Sequence, residues 1–146
     1  HVPTGVGSLA AAAVRHAAAH GAAVVAVEPD VAACLTASLA AGVPTAVPTP
    51  GTTMAGLDCA EVSGAAWPDL RAGIAGTTTV ADADTHAAMA ELHARGIAVG
   101  ECGAAALAAL HRLVAEPEAR PLREALGLGP ASRVLLVATE GVTHPG

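Results

Sequence analysis

Thr4-Gly5-Val6-Gly7-Ser8-Leu9 places two glycines and a hydroxyl directly before a run of strong helix formers. Glycine lets a backbone come close to a ligand and take up positive φ. The first N–H groups of the helix that follows have no partner within the helix, so they point into the loop. With the helix dipole behind them they form an anion site suited to phosphate, and Ser8 can add a hydroxyl donor. The plain alternative is an ordinary loop and N-cap. The segment is not a P-loop, because the lysine of GxxxxGK[ST] is missing. It is not the GxGxxG dinucleotide fingerprint, because the third glycine is absent.

Other residue types narrow the chemistry. Cys34, Cys59 and Cys102 are odd in number and widely spaced, with no CxxC pair, so neither a zinc ribbon nor a thioredoxin-type site is supported. They read as small buried hydrophobes with free thiols, as in a reducing cytoplasm. His16, His20, His86, His93 and His111 fall on expected helices without a common metal spacing and read as surface or helix-end residues. Trp67 is the only large aromatic and reads as core. Asp58 is polar in an apolar setting and should have a fixed partner. The chain carries a net charge of −6, and its seven basic residues are all arginine, scattered without a run. That pattern disfavours a nucleic-acid surface and an anionic membrane surface.

Elements that alternate along the chain must position these residues. Helices are expected at residues 9–20, closed by Gly21, and at 30–41, capped by Asp30 and closed by Gly42. Further helices fall at 65–75, from Asp82 or Asp84 to Gly96, at 103–114 and at 118–126. Strands are expected at 23–27, 77–81, 97–99 and 133–138, the last being the clearest, with a short one at 45–47. Residues 43–63 are rich in Pro, Gly and Thr and read as a long irregular segment with a helical turn near Met54. The alternation predicts an α/β fold, a parallel sheet with helices on both faces in three layers. Hydrophobic residues make up 53% of the chain, but alanine dominates and Phe and Tyr are absent, so the core must form by close backbone packing. No repeat and no internal domain boundary is visible. The apolar stretch at 9–14 is too short to span a bilayer. The chain shows no initiating Met and no signal-peptide pattern, and His1-Val2-Pro3 reads as the middle of a reading frame.

Read in order, several blocks resemble one enzyme family. They are Thr4 to Leu9, Val25-Ala26-Val27-Glu28-Pro29, Ala32-Ala33-Cys34-Leu35 and Thr53-Met54-Ala55-Gly56-Leu57-Asp58-Cys59. After these come Ala66-Trp67, Leu70-Arg71, Gly100-Glu101-Cys102-Gly103-Ala104-Ala105 and Thr139-Glu140-Gly141-Val142-Thr143. Together they resemble the C-terminal half of diaminopropionate ammonia-lyase, a fold-type II pyridoxal-phosphate (PLP) enzyme in the tryptophan synthase β-like superfamily, beside threonine dehydratase, serine racemase and cysteine synthase. Residues 116–132 match least well.

The resemblance implies roles by position. Gly5, Val6, Gly7 and Ser8 would hold the PLP phosphate, mainly through backbone N–H groups. Thr139 would place a hydroxyl beside the pyridine nitrogen. Glu101 matches an acidic position near the ring, although a carboxylate at that point also suits a helix start. Met54, Ala55, Gly56, Leu57 and Asp58 would line the active-site wall, with plain core packing an equal reading for Met54 and Leu57. The family's reaction would be α,β-elimination of 2,3-diaminopropionate to pyruvate and ammonia, a step of amino-acid catabolism, on a small amino-acid substrate in a cytoplasmic homodimer.

Departures matter as much. PLP chemistry in this superfamily needs a lysine that bonds the cofactor, and this chain has none. The expectation is therefore that residues 1–146 are a single C-terminal portion of a PLP-binding catalytic domain, inactive alone and poorly soluble or molten when isolated. A serine or threonine deaminase-type lyase and a non-catalytic anion-binding α/β remnant are the alternatives.

Overall fold

The computed structural model describes residues 1–142. Thr143, the last residue of the closing block, lies outside them. Three parallel strands form the sheet in the order β1 (Val2–Pro3), β2 (Val24–Pro29), β3 (Ile74–Val80). Every residue of β2 is buried, as a central parallel strand requires when both faces are covered.

Alternate side chains of β2 leave on opposite faces. Val24 and Ala26 enter one core cluster with Val2, with Ala10, Ala11, Val14 and Ala17 of α1 (Ser8–Ala18), and with Leu70 of α3 (Trp67–Gly73). Val27 and Val80 enter the other, with Ala88 of α4 (Asp82–Ala94) and Ala104, Ala105, Ala108 and Ala109 of α5 (Glu101–Ala115). The result is the expected three layers, helices on both faces of a parallel sheet. A short α2 (Cys34–Ala41) closes against the first cluster, and α6 (Arg120–Ala125) follows a 3-10 turn at Pro117–Ala119.

Several expected elements differ. No strand forms at residues 45–47, where a single backbone bond joins Val47 N–H to the Ala60 carbonyl at 2.8 Å. Residues 97–99 connect α4 to α5 without pairing to the sheet, and the His93 ring holds the Val99 carbonyl at 2.9 Å instead. Residues 133–138 form no strand either. Two bonds tie them to the start of β1, from His1 nitrogen to the Leu135 carbonyl at 2.8 Å and from Val137 N–H to the His1 carbonyl at 3.1 Å. That pair brackets Leu136 as in a parallel ladder, but β1 is too short to extend it. Strand β3 starts at Ile74 rather than 77, because pairing with Val24 recruits residues 74–76.

Helix α2 starts at Cys34, not after Asp30. Its cap comes from the sheet. The fully buried Glu28 carboxylate accepts the N–H of Leu35 at 2.6 Å, the N–H of Thr36 at 2.9 Å and the Thr36 hydroxyl at 2.7 Å. Two free amides of a helix start are thus satisfied by one side chain from β2. Truncation by Glu28→Ala should cost about 3 kcal/mol, since it strands buried donors that formerly met a charged acceptor. Glu28→Gln, which keeps one carbonyl oxygen, should cost less. Urea midpoints of the two variants check the order, and equal losses would contradict it.

Candidate functional site

Strand β1 delivers the glycine loop to the carboxyl end of the sheet. Thr4, 1% exposed, donates its N–H to the Val27 carbonyl at 2.7 Å and its hydroxyl to the Val2 carbonyl at 2.9 Å. The chain then turns away from the sheet. A side chain on Gly5 would meet the Gly56 carbonyl oxygen at 2.8 Å and Cys59 Sγ at 2.9 Å. Gly7 has φ +96°, and a Cβ there would lie 2.5 Å from Leu70 Cδ1. Both positions need glycine, one for close approach and the other for conformation as well. Val6 is held in between by its carbonyl, which accepts Ser63 N–H at 2.8 Å.

Helix α1 begins at Ser8 with Gly7 as N-cap, and no side chain of the described residues caps it. Its first N–H groups therefore open onto a cleft of about 300 Å³. Gly5 to Leu9 form the first wall of this cleft, and Gly56, Leu57 and Cys59 form the second. The third wall brings Cys102 from the start of α5 together with Thr139 and Glu140. Of the residues singled out by sequence, the cleft gathers Gly5, Val6, Gly7, Ser8, Gly56, Leu57 and Thr139.

The rest lie elsewhere. Met54 is fully buried in the second core cluster, where Thr85 donates its hydroxyl to the Met54 sulfur at 3.4 Å. Ala55 is exposed beside the cleft without lining it. Asp58 also stands outside the lining, and its Oδ1 is buried without a hydrogen-bond partner among the described residues, contrary to the expected fixed partner. Glu101 is the first residue of α5 and does not line the cleft. Pro3, Thr4, Leu9, Cys59, Cys102 and Glu140 line it without having been singled out as site residues. All but Pro3 sit one position from a selected residue: Thr4 beside Gly5, Leu9 beside Ser8, Cys59 beside Asp58, Cys102 beside Glu101 and Glu140 beside Thr139.

Electrostatically the cleft is sparse. Among the described residues Glu140 is its only charged lining residue, and no basic side chain lines it. Burial pushes the Cys102 thiol up to about 11, with the Glu140 carboxylate adding to the effect. Burial also raises Cys59. Both thiols stay protonated near neutral pH and offer no nucleophile. An anion here would be held by backbone N–H groups and the Ser8 hydroxyl. No group of three or more potential metal ligands occurs among the described residues, and no helix there is long and apolar enough to cross a membrane.

A latch outside the cleft fixes its second wall. Asp82, in the first turn of α4, accepts hydrogen bonds from the Thr52 hydroxyl and from Thr53 N–H, the latter at 3.1 Å. Thr52 Oγ1 in turn accepts Met54 N–H at 3.1 Å. The 3-10 turn Ala55–Leu57 begins there. Burial alone would push the Asp82 carboxyl up, but the Thr52 and Thr53 donors outweigh it and hold it below the ordinary value.

A family model described as "Pyridoxal-phosphate dependent enzyme" matches residues 1–140. No curated protein sequence matches the chain. Among solved structures it is similar to diaminopropionate ammonia lyase from Escherichia coli in complex with D-serine, at 29% identity and TM-score 0.80, over 96% of this chain and 37% of that one. It is similar to a threonine deaminase from T.th. at 28% identity and TM-score 0.74, over 79% of this chain and 43% of that one. Maize serine racemase matches at 28% identity and TM-score 0.69, over 74% and 35%. The chain spans less than half the length of each.

Two substitutions test this geometry. Gly5→Ala must part the loop from the Gly56 carbonyl, so phosphate affinity should drop at least ~10-fold, with about 1–3 kcal/mol lost in stability. Gly64→Ala, whose Cβ would meet nothing within 4 Å, is the neutral control. Isothermal titration with inorganic phosphate reads the difference, and equal affinities would refute the close-packed loop. For Asp82 the folded carboxyl titrates below the usual 3.8. Its contribution is therefore complete above that value and lost as pH falls through the folded one. Wild type should exceed Asp82→Asn in urea midpoint near neutrality, and the two should converge on acidification below 3.8. A gap independent of pH would exclude the latch.

Proposed function

The chain belongs to the pyridoxal-phosphate-dependent enzyme family, and from that premise we propose that it forms the phosphate-holding side of an ammonia-lyase active site acting by α,β-elimination on 2,3-diaminopropionate. The observation that carries the reading is the uncapped, glycine-built start of α1 lining one cleft with Thr139. The family's cofactor is pyridoxal 5'-phosphate, and the donor set fits its phosphate. Backbone amides at a helix N-terminus suit a dianion, and the glycines keep side chains out of the way. When bound, the cofactor supplies an electron sink for the bonds broken at the substrate α-carbon.

This chain's own residues have narrower tasks. Gly5, Val6, Gly7 and Ser8 would hold the phosphate through N–H groups, with the Ser8 hydroxyl as an added donor. Thr139, on another wall of the cleft, would offer its hydroxyl to the pyridine nitrogen. A hydroxyl can share a proton there without charging the ring. Gly56 and the buried Leu57 form the wall that keeps water from the reacting face. The lysine that bonds the cofactor is absent from these 146 residues, so the reading requires it from elsewhere in the assembled enzyme. Support for the diaminopropionate branch comes from coverage and identity together. The Escherichia coli ammonia lyase aligns over 96% of the chain at 29% identity, the threonine deaminase over only 79%, and a fungal L-serine ammonia-lyase over 97% but at 24% identity.

The test is a substrate comparison on the intact enzyme that carries this chain, loaded with pyridoxal phosphate. Pyruvate release from 2,3-diaminopropionate should exceed that from serine by at least ~10-fold in kcat/KM, and 2-oxobutyrate release from threonine by as much. Dominant turnover of threonine or serine would replace the substrate with that of a deaminase. A protein that cannot retain pyridoxal phosphate through gel filtration would leave only an anion-binding remnant.

A further inference from the structure

Two helix starts border the cleft, and they are treated differently. That of α1 is uncapped. That of α5 is occupied from outside its own neighbourhood. Glu140 Oε2 accepts Cys102 N–H at 2.9 Å, and the Glu140 carbonyl accepts Gly100 N–H at 3.2 Å. The contact is close-packed. A Cβ on Gly100 would lie 2.6 Å from the Gly141 carbonyl and 3.1 Å from Glu140 Oε2, and one on Gly103 would lie 2.7 Å from the Glu140 carbonyl. Glycine at both places lets the segment carrying Thr139 and Glu140 lie flat on the first turn of α5.

The consequence is an asymmetry of charge. An anion entering the cleft meets two sets of helix amides, each with a positive dipole end. At α5 the nearest N–H already faces a carboxylate, which also repels a second anion. At α1 no side chain of the described residues competes. We propose that Glu140 is the positioning residue that orients the anionic cofactor, by closing the α5 start to phosphate and by fixing Thr139 in the same cleft as the open α1 start. The inference rests on the cleft being the phosphate site argued above. It adds why the phosphate takes one end of the cleft and the ring the other.

Glu140→Ala removes both the charge and the acceptor, and Glu140→Gln removes the charge while keeping an oxygen for Cys102 N–H. The measurement is a titration of the intact, cofactor-free protein with inorganic phosphate, followed at individual backbone amides by NMR. In wild type the Leu9 amide should shift saturably and the Cys102 amide should not. In Glu140→Ala both should shift, and affinity for pyridoxal phosphate should fall about 10-fold as the α5 site competes and Thr139 loses its anchor. Glu140→Gln should give a Cys102 response between those of wild type and the alanine variant, and its excess over wild type decides the matter if Glu140→Ala does not fold. A Cys102 amide that responds in wild type, or stays still in every folded variant, overturns the role of Glu140. A Leu9 amide that ignores phosphate in wild type overturns the phosphate site itself.

Discussion

Alanine is the commonest residue in both clusters where helices meet the sheet, and an alanine methyl reaches only a short way from its backbone. Helices here cannot stand off at the distance that leucine or phenylalanine would fill. They must come close, and the close approach dictates which positions tolerate any side chain at all. At Gly73 the last turn of α3 abuts Val14 of α1 so tightly that a Cβ would overlap the valine. At Gly5 the loop lies directly against the Gly56 carbonyl. The same compactness that forms a core without aromatics also builds the walls of the cleft from bare backbone. A cleft walled by backbone is rich in amides and poor in charge, which is the chemistry a phosphate group needs when no lysine or arginine is at hand.

Parallel strands add direction. All three strands end at the same side of the sheet, so the segments leaving them converge there. Glu28 at the end of β2 and Asp82 just beyond β3 each receive N–H groups from a neighbouring segment. One sets α2 behind the glycine loop, and the other sets the 3-10 turn that forms the second wall. These carboxylates never enter the cleft, yet they fix two of its boundaries.

The sequence made the layers and the glycine loop legible because both depend on local signals. Alternating blocks reveal a parallel sheet, and two glycines before a helix reveal an open helix start. What it hid was non-local. The strand expected at 133–138 has the right residues, Val134, Leu135, Leu136 and Val137, but β1 offers a partner of only two residues. Asp30 had the right type to cap α2, yet Glu28 reached the amides first from the sheet, and the helix began four residues later. Glu101 was the acidic residue expected near the ring, but the packing of the C-terminal segment onto Gly100 and Gly103 puts Glu140 in the cleft instead. Met54 belonged to a block that reads as site wall, and burial placed it in the core.

Trp67 has a consequence of its own. It is the only aromatic side chain besides the histidine rings, and it packs at the edge of the first core cluster at the start of α3. One turn on, Leu70 presses on Gly7. Ultraviolet emission from this chain therefore has a single source, one helical turn from the leucine that packs on the glycine loop. With no tyrosine to blur it, that emission is a native gauge of the loop's state. A pyridoxal ring settling in the cleft would quench it by energy transfer, so occupancy can be read without attaching any label.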